Sequence, residues 1–66
     1  MLGNFIKLTD VDDFAIYVNS TMIIAVEIGH SNGSKIQMMM SERYLHVKES
    51  PSEVIKLIKN SGKMYL

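Results

Sequence analysis

The sequence contains no cysteine and no tryptophan, and only one of its 66 residues is proline. The absence of cysteine excludes disulfide bonds and thiolate zinc sites, which are common supports of very small folds. A chain of this length forms a single small domain, residues 1–66, whose core alone gives marginal stability. We therefore expect self-association to contribute stability, and we expect a homo-oligomer.

Long apolar runs are also missing. The longest run, 22–26, ends at Glu27 and is far shorter than the ~18 residues of a membrane span. The N-terminal segment carries Lys7 and Asp10, where a signal peptide would need apolar residues. Together with the absence of cysteine, this predicts a cytoplasmic protein without membrane insertion.

The formal net charge is zero. This argues against functions whose binding affinity comes from neutralising phosphate groups, so nucleic acid is not the expected partner. Negative charge is concentrated early in the chain, at Asp10, Asp12 and Asp13. Positive charge is more frequent near the C-terminus, where a candidate basic face consists of Arg43, Lys48, Lys56, Lys59 and Lys63.

Apolar and polar side chains alternate along much of the chain, which is typical of half-buried strands. In the first such segment, Ile6 and Leu8 share one face. Residues 22–28 form a more continuous apolar run, which predicts a strand more buried than its neighbours. Asn32 and Gly33 tolerate positive φ and predict a hairpin turn. The predicted strands are 4–9, 14–18, 22–28, 34–40 and 43–49.

A helix is predicted for residues 51–61. Ser50 is suited to the N-cap, Pro51 to the first helical position and Glu53 to completing a capping box, while Gly62 suits the C-terminal end. The apolar stripe of this helix consists of Val54, Ile55, Leu57 and Ile58. The expected fold is α+β, mainly β, with about five short, mostly antiparallel strands packed under one C-terminal helix.

Motifs that carry catalysis are missing. The sequence has no nucleophile motif, glycine-rich phosphate loop or dinucleotide fingerprint. His30 and His46 are interpreted as isolated histidines, because neither has a second histidine or a carboxylate at a metal-ligand spacing. The segment 10–13 lacks the later ligands of a calcium loop. We therefore expect no enzymatic activity, no cofactor and no metal site.

Three consecutive methionines, Met38, Met39 and Met40, stand in a predicted strand, where at least one thioether must point away from the core. One interpretation is that both faces of the strand are covered within the monomer. The other is an adaptable contact surface, formed with Tyr44, for another copy or another protein. The predicted strands would form one open five-stranded sheet, whose edge leaves unpaired backbone groups that a partner can pair, and this favours the second interpretation. The expected function is a small noncatalytic protein-interaction module.

Several short motifs follow one another along the chain: IKLT at 6–9, VN at 18–19, II at 23–24, VE at 26–27, and VKES at 47–50 followed by EVI. Their order over residues 5–58 resembles the small flagellar FlbD/SwrD family. The resemblance implies a cytoplasmic accessory protein of flagellar motor function that has no enzymatic activity and acts by binding a protein partner. The chain departs from the family at Asp13, where a glycine is usual, in a longer middle hairpin, and in MSER at 40–43, which replaces a second glycine turn.

Two other interpretations remain open from the sequence. A small protein of this kind carried by a phage or mobile element would use the same scaffold to bind a host factor. The pattern of strands ending in VKES and a helix is also similar to the LytTR type of DNA-binding domain, which would use the basic face. The loops at 10–13 and 30–33 supply almost no basic residues for a DNA groove, so we rank protein binding first.

Overall fold

The computed structural model describes residues 4–62, which form five strands and a C-terminal helix. This confirms the predicted α+β, mainly β, fold class. The elements follow one another in the order β1 (Phe5–Thr9), β2 (Ala15–Asn19), β3 (Ile23–Ile28), β4 (Ser34–Met38), β5 (Tyr44–Val47) and α1 (Pro51–Gly62). Single turns of 3₁₀ helix, Ser20–Met22 and His30–Asn32, connect β2 to β3 and β3 to β4. Lys63 of the candidate basic face lies outside the described residues.

The strands form two antiparallel sheets, whereas the sequence predicted a single open sheet. β1 pairs with β2, and β3, β4 and β5 form the second sheet in that order. The sheets meet where Asp10 forms an isolated antiparallel bridge with Val47. Beside it, the N–H of Lys48 donates to the carbonyl oxygen of Thr9 at 2.8 Å. β2 and β3 are therefore left at the outer edges of this arrangement.

The core combines residues from both sheets and the helix. As the sequence predicted, Ile6 and Leu8 share the buried face of β1, where they pair with Val18 and Ile16 of β2. The buried hydrophobic residues are Ile6, Leu8, Val18, Ile36, Val47 and Val54.

β3 is an edge strand, and the prediction that it is more buried than its neighbours is wrong. None of its residues is fully buried, and Ile24 and Ile28 are 59% and 79% exposed. The pairing register with β4 shifts between Ile23 and Ala25. Such a bulge places two residues opposite one on the neighbouring strand, so Ile24 is released from the regular inward alternation. The apolar run 22–28 therefore forms a partly exposed edge strand and not a buried central one.

The turn between β3 and β4 lies where Asn32 and Gly33 predicted it, but glycine has a different role there. Positive φ occurs at Ser31 and Asn32, at 54° and 66°, whereas φ of Gly33 is −84°. A Cβ added at Gly33 would overlap the carbonyl oxygen of Val47. Glycine therefore allows the turn to approach β5 closely, and its backbone freedom is not needed.

Helix α1 begins with the predicted capping box. The N–H of Ser50 donates to Glu53 Oε1 at 2.8 Å, and Ser50 Oγ accepts from the N–H of Glu53 at 3.3 Å. The buried stripe differs from the predicted one, because Val54 is fully buried but Ile55 is 42% exposed. Successive helical residues are about 100° apart, which carries Ile55 away from the face of Val54. The stripe continues through Leu57, Ile58 and Ser61.

Candidate interaction surface

The methionine segment leaves the sheet after its first residue. Met38 ends β4, is partly buried and packs against the core. Met39 and Met40 begin the turn to β5, residues 39–43, in which the N–H of Ser41 donates to the carbonyl oxygen of Met38 at 3.3 Å. β4 is thus two residues shorter than the predicted strand 34–40, and two of the three methionines lie on the surface.

Met40 has an unfavourable backbone conformation as well as an exposed side chain. Its residue surface is 97% exposed, and its φ of 63° lies in the left-handed region. That region costs a residue with a Cβ roughly 1–2 kcal/mol, whereas glycine adopts it without this penalty. Within residues 4–62, nothing therefore favours a large apolar residue at this position.

Two more apolar side chains lie at the same end of the three-stranded sheet. The N–H of Met39 donates to the carbonyl oxygen of Met22 at 2.7 Å, which holds the turn against the segment leading into β3 and Ile24. Tyr44, which is 41% exposed, begins β5 directly after the turn. We call this surface the methionine-turn patch, and it consists of Ile24, Met39, Met40 and Tyr44.

The patch differs from the interface predicted by the sequence in two residues. Met38 was expected on the interface but packs against the core, whereas Ile24 joins the patch. Regular alternation from Val26, which packs against the core, would place Ile24 among the inward side chains. Only the bulge turns it outward, and no local signal in the sequence predicts that bulge.

Charged side chains border the patch. Glu42 and Arg43 are exposed neighbours in the turn, and neither forms an ion pair with another residue of the described range 4–62. Lys35 Nζ lies 4.7 Å from the centre of the Tyr44 ring and 3.6 Å from Glu27 Oε1. Glu42 and Arg43 therefore place one negative and one positive side chain beside the apolar methionine-turn patch.

The candidate basic residues lie on several elements. Arg43 and Lys48 flank opposite ends of β5, and Lys48 forms an ion pair with Asp13 in the turn between β1 and β2. Lys56 and Lys59 are exposed on α1. One of these cations is thus neutralised by a carboxylate, and the basic face stays a prediction.

The acidic segment forms an ordered turn. Asp10 Oδ1 accepts hydrogen bonds from the N–H groups of Asp12 and Phe14, at 2.8 and 3.1 Å. Asp13 adopts a φ of 71° and pairs with Lys48. Within residues 4–62, no group of three or more His, Cys, Asp or Glu side chains is arranged to hold a metal ion.

His30 and His46 line the same cleft, although the sequence treats them as isolated. His30 reaches the cleft from the turn before β4, and His46 reaches it from β5. Val11, Ser34 and Val47 complete the lining of a volume of about 270 Å³. Sequence reasoning missed this pair because only the packing of the β3–β4 turn against β5 places both histidines on one cleft.

Comparisons with known proteins gave no match to a family model, a curated protein or a solved structure. Across residues 4–62, no helix combines the length and the apolar character needed to cross a membrane. What the protein does must therefore be inferred from the surfaces described above.

Proposed function

We propose that this chain is a small noncatalytic protein-interaction module that self-associates through the methionine-turn patch and acts by binding a protein partner. Met40 carries the proposal, because it is 97% exposed while its backbone has a φ of 63°. Glycine would be more favourable at this position in an isolated monomer. Burial of the methionine side chain in an assembly gives a physical reason for its presence.

The partner at the patch is a second copy of this chain. In a two-fold dimer the same surface serves both copies, so a surface must be complementary to itself. Glu42 and Arg43 meet this requirement, because Glu42 of one copy can pair with Arg43 of the other. The zero net charge also adds no overall repulsion between copies.

Association compensates for the small core. Only six hydrophobic residues are buried within residues 4–62, and no disulfide is available. Complete burial of a Met or Ile side chain contributes about 1.5–3 kcal/mol. Burying Ile24, Met39 and Met40 in each copy is therefore enough to outweigh the left-handed conformation of Met40.

Two turn positions support the resemblance to the FlbD/SwrD family. Asp13 replaces one usual glycine, and Met40 begins the MSER segment that replaces the second glycine turn. Both have positive φ, at 71° and 63°, which is the conformation that glycine adopts most readily. On this basis we propose the cytoplasmic accessory role that the family implies, in flagellar motor function and through a protein partner.

DNA binding of the LytTR type has less support from the structure. Lys48 is paired with Asp13, and the turn at 10–13 presents carboxylates. A DNA-binding surface would need free cations that neutralise phosphates, and its affinity would fall steeply with added salt.

Sedimentation equilibrium over a wide concentration range tests the proposed self-association. We expect the wild-type chain to dimerise and Met40→Lys to be largely monomeric, because the substitution would bury an unpaired charge. The matched control is Ile55→Lys, which introduces the same charge at an exposed apolar residue of α1, outside the patch. A wild-type chain that is monomeric throughout would refute the proposal, as would equal dissociation of the two variants.

A further inference from the structure

The cleft that contains both histidines lies where three parts of the chain meet. Val11 comes from the turn after β1, His30 from the turn before β4, and His46 from β5. Gly33 lies directly against the carbonyl oxygen of Val47, which fixes the His30 turn on the end of β5. The backbone positions of the two histidines relative to each other therefore depend on tight packing of this turn against β5.

Both imidazoles are available for a ligand. His30 and His46 are exposed, and neither ring takes part in a hydrogen bond or ion pair with another residue of the range 4–62. The cleft volume is about 270 Å³. Since one water occupies about 30 Å³ in the liquid, the cleft has room for an ion together with several waters.

The lysines beside the cleft are compensated by carboxylates. Lys35 is the cross-strand neighbour of His46, and it pairs with Glu27 at 3.6 Å. Lys48 lines the adjoining part of the cleft and pairs with Asp13. These ion pairs reduce the positive potential that would otherwise oppose a bound cation.

We infer that His30 and His46 together form a binding site for a divalent transition-metal ion, for which Zn²⁺ is a suitable probe. Neutral imidazole nitrogen is a favoured ligand of zinc, copper and nickel. Within residues 4–62 no third His, Cys, Asp or Glu completes the set, so water or a second protein fills the remaining positions. The site lies at the opposite end of β4 from the methionine-turn patch, so it does not depend on the proposed self-association.

Calorimetric titration of the full chain with ZnCl₂ tests this inference, using wild type, His30→Gln, His46→Gln and the double variant. If both rings hold one ion, binding by the second ring is intramolecular, and each single variant should lose about tenfold or more in affinity. The double variant should then be little worse than either single variant. In NMR spectra the imidazole signals of both histidines should shift together during the titration. Acidification should release the ion, because protons compete for the same nitrogens.

The melting temperatures of the metal-free variants provide the control for folding. Because both histidines are exposed, the glutamine variants should melt at the wild-type temperature. If each single variant binds half as many ions as the wild type with unchanged affinity, then each histidine binds its own ion. That result would overturn the shared site. Zn²⁺ binding that keeps the wild-type affinity in the double variant, or a wild-type chain that binds no Zn²⁺, would also overturn it.

Discussion

Both carboxylate oxygens of Glu49 accept a hydrogen bond from Thr9: Oε1 accepts from the backbone N–H and Oε2 from the hydroxyl, each at 2.9 Å. The carbonyl oxygen of Glu49 also accepts from Ser34 Oγ at 2.7 Å, and Ser34 is buried. Glu49 thus ties β1 to β4 at the junction of β5 and α1. One residue of the VKES motif joins the two sheets, and the next, Ser50, caps the helix.

We expect Glu49→Ala to lower the free energy of unfolding by about 2–3 kcal/mol, because hydrogen bonds to charged groups are among the stronger ones and Thr9 loses two acceptors. Glu49→Gln should cost less, since its amide oxygen can still accept from the N–H of Thr9. Urea unfolding measures these differences. The comparison variant Glu53→Ala removes only a capping interaction and should cost about 1 kcal/mol. Equal losses at Glu49 and Glu53 would contradict the role of Glu49 in joining the sheets.

Gly33→Ala should be more damaging than Gly29→Ala. A Cβ at Gly33 overlaps the backbone oxygen of Val47, whereas at Gly29 the nearest atom, the carbonyl carbon of Ser34, is 3.0 Å away. Because backbone cannot rotate out of the way as a side chain can, Gly33→Ala should cost about 3 kcal/mol or more. Thermal unfolding of the two variants side by side checks this order, and the reverse order would contradict it.

Val54 and Ile55 are neighbours on α1 that differ in burial. Val54 is fully buried and Ile55 is 42% exposed. Val54→Ala should therefore cost about 2 kcal/mol, whereas Ile55→Ala should change the stability by no more than about 0.5 kcal/mol. Unfolding followed by circular dichroism distinguishes these values. If Ile55→Ala lowers the free energy of unfolding as much as Val54→Ala does, Ile55 belongs to the buried stripe, as the sequence predicted.

Features that depend on neighbouring residues could be predicted from the sequence. The capping box of Ser50 and Glu53 is one example, because all of its atoms belong to one helical turn. Two features that depend on contacts between distant segments could not be predicted. The exposure of Ile24 follows from a bulge against β4, and the shared cleft of His30 and His46 follows from the turn that packs on β5.

Asp13→Gly and Asp13→Ala should have opposite effects on stability. Glycine relieves the left-handed backbone at a φ of 71° and should stabilise the chain by up to about 1 kcal/mol. Alanine tolerates this conformation less well than aspartate, whose short polar side chain suits it, so Asp13→Ala should destabilise the chain by up to about 1 kcal/mol. Both variants lose the exposed ion pair with Lys48, which contributes about 0–1 kcal/mol. Lys48→Ala measures that contribution separately in the same thermal melts. A destabilised glycine variant beside a neutral Lys48→Ala would contradict the conformational explanation.

Thermal melting of wild type and Met40→Gly at two concentrations about a hundredfold apart tests the central claim most directly. Self-association through Met40 predicts that the wild-type melting temperature rises with concentration and that Met40→Gly loses most of this rise. At the lower concentration, Met40→Gly should melt above wild type, because glycine adopts the φ of 63° without strain. A wild-type melting temperature that stays constant between the two concentrations would contradict self-association through the methionine-turn patch.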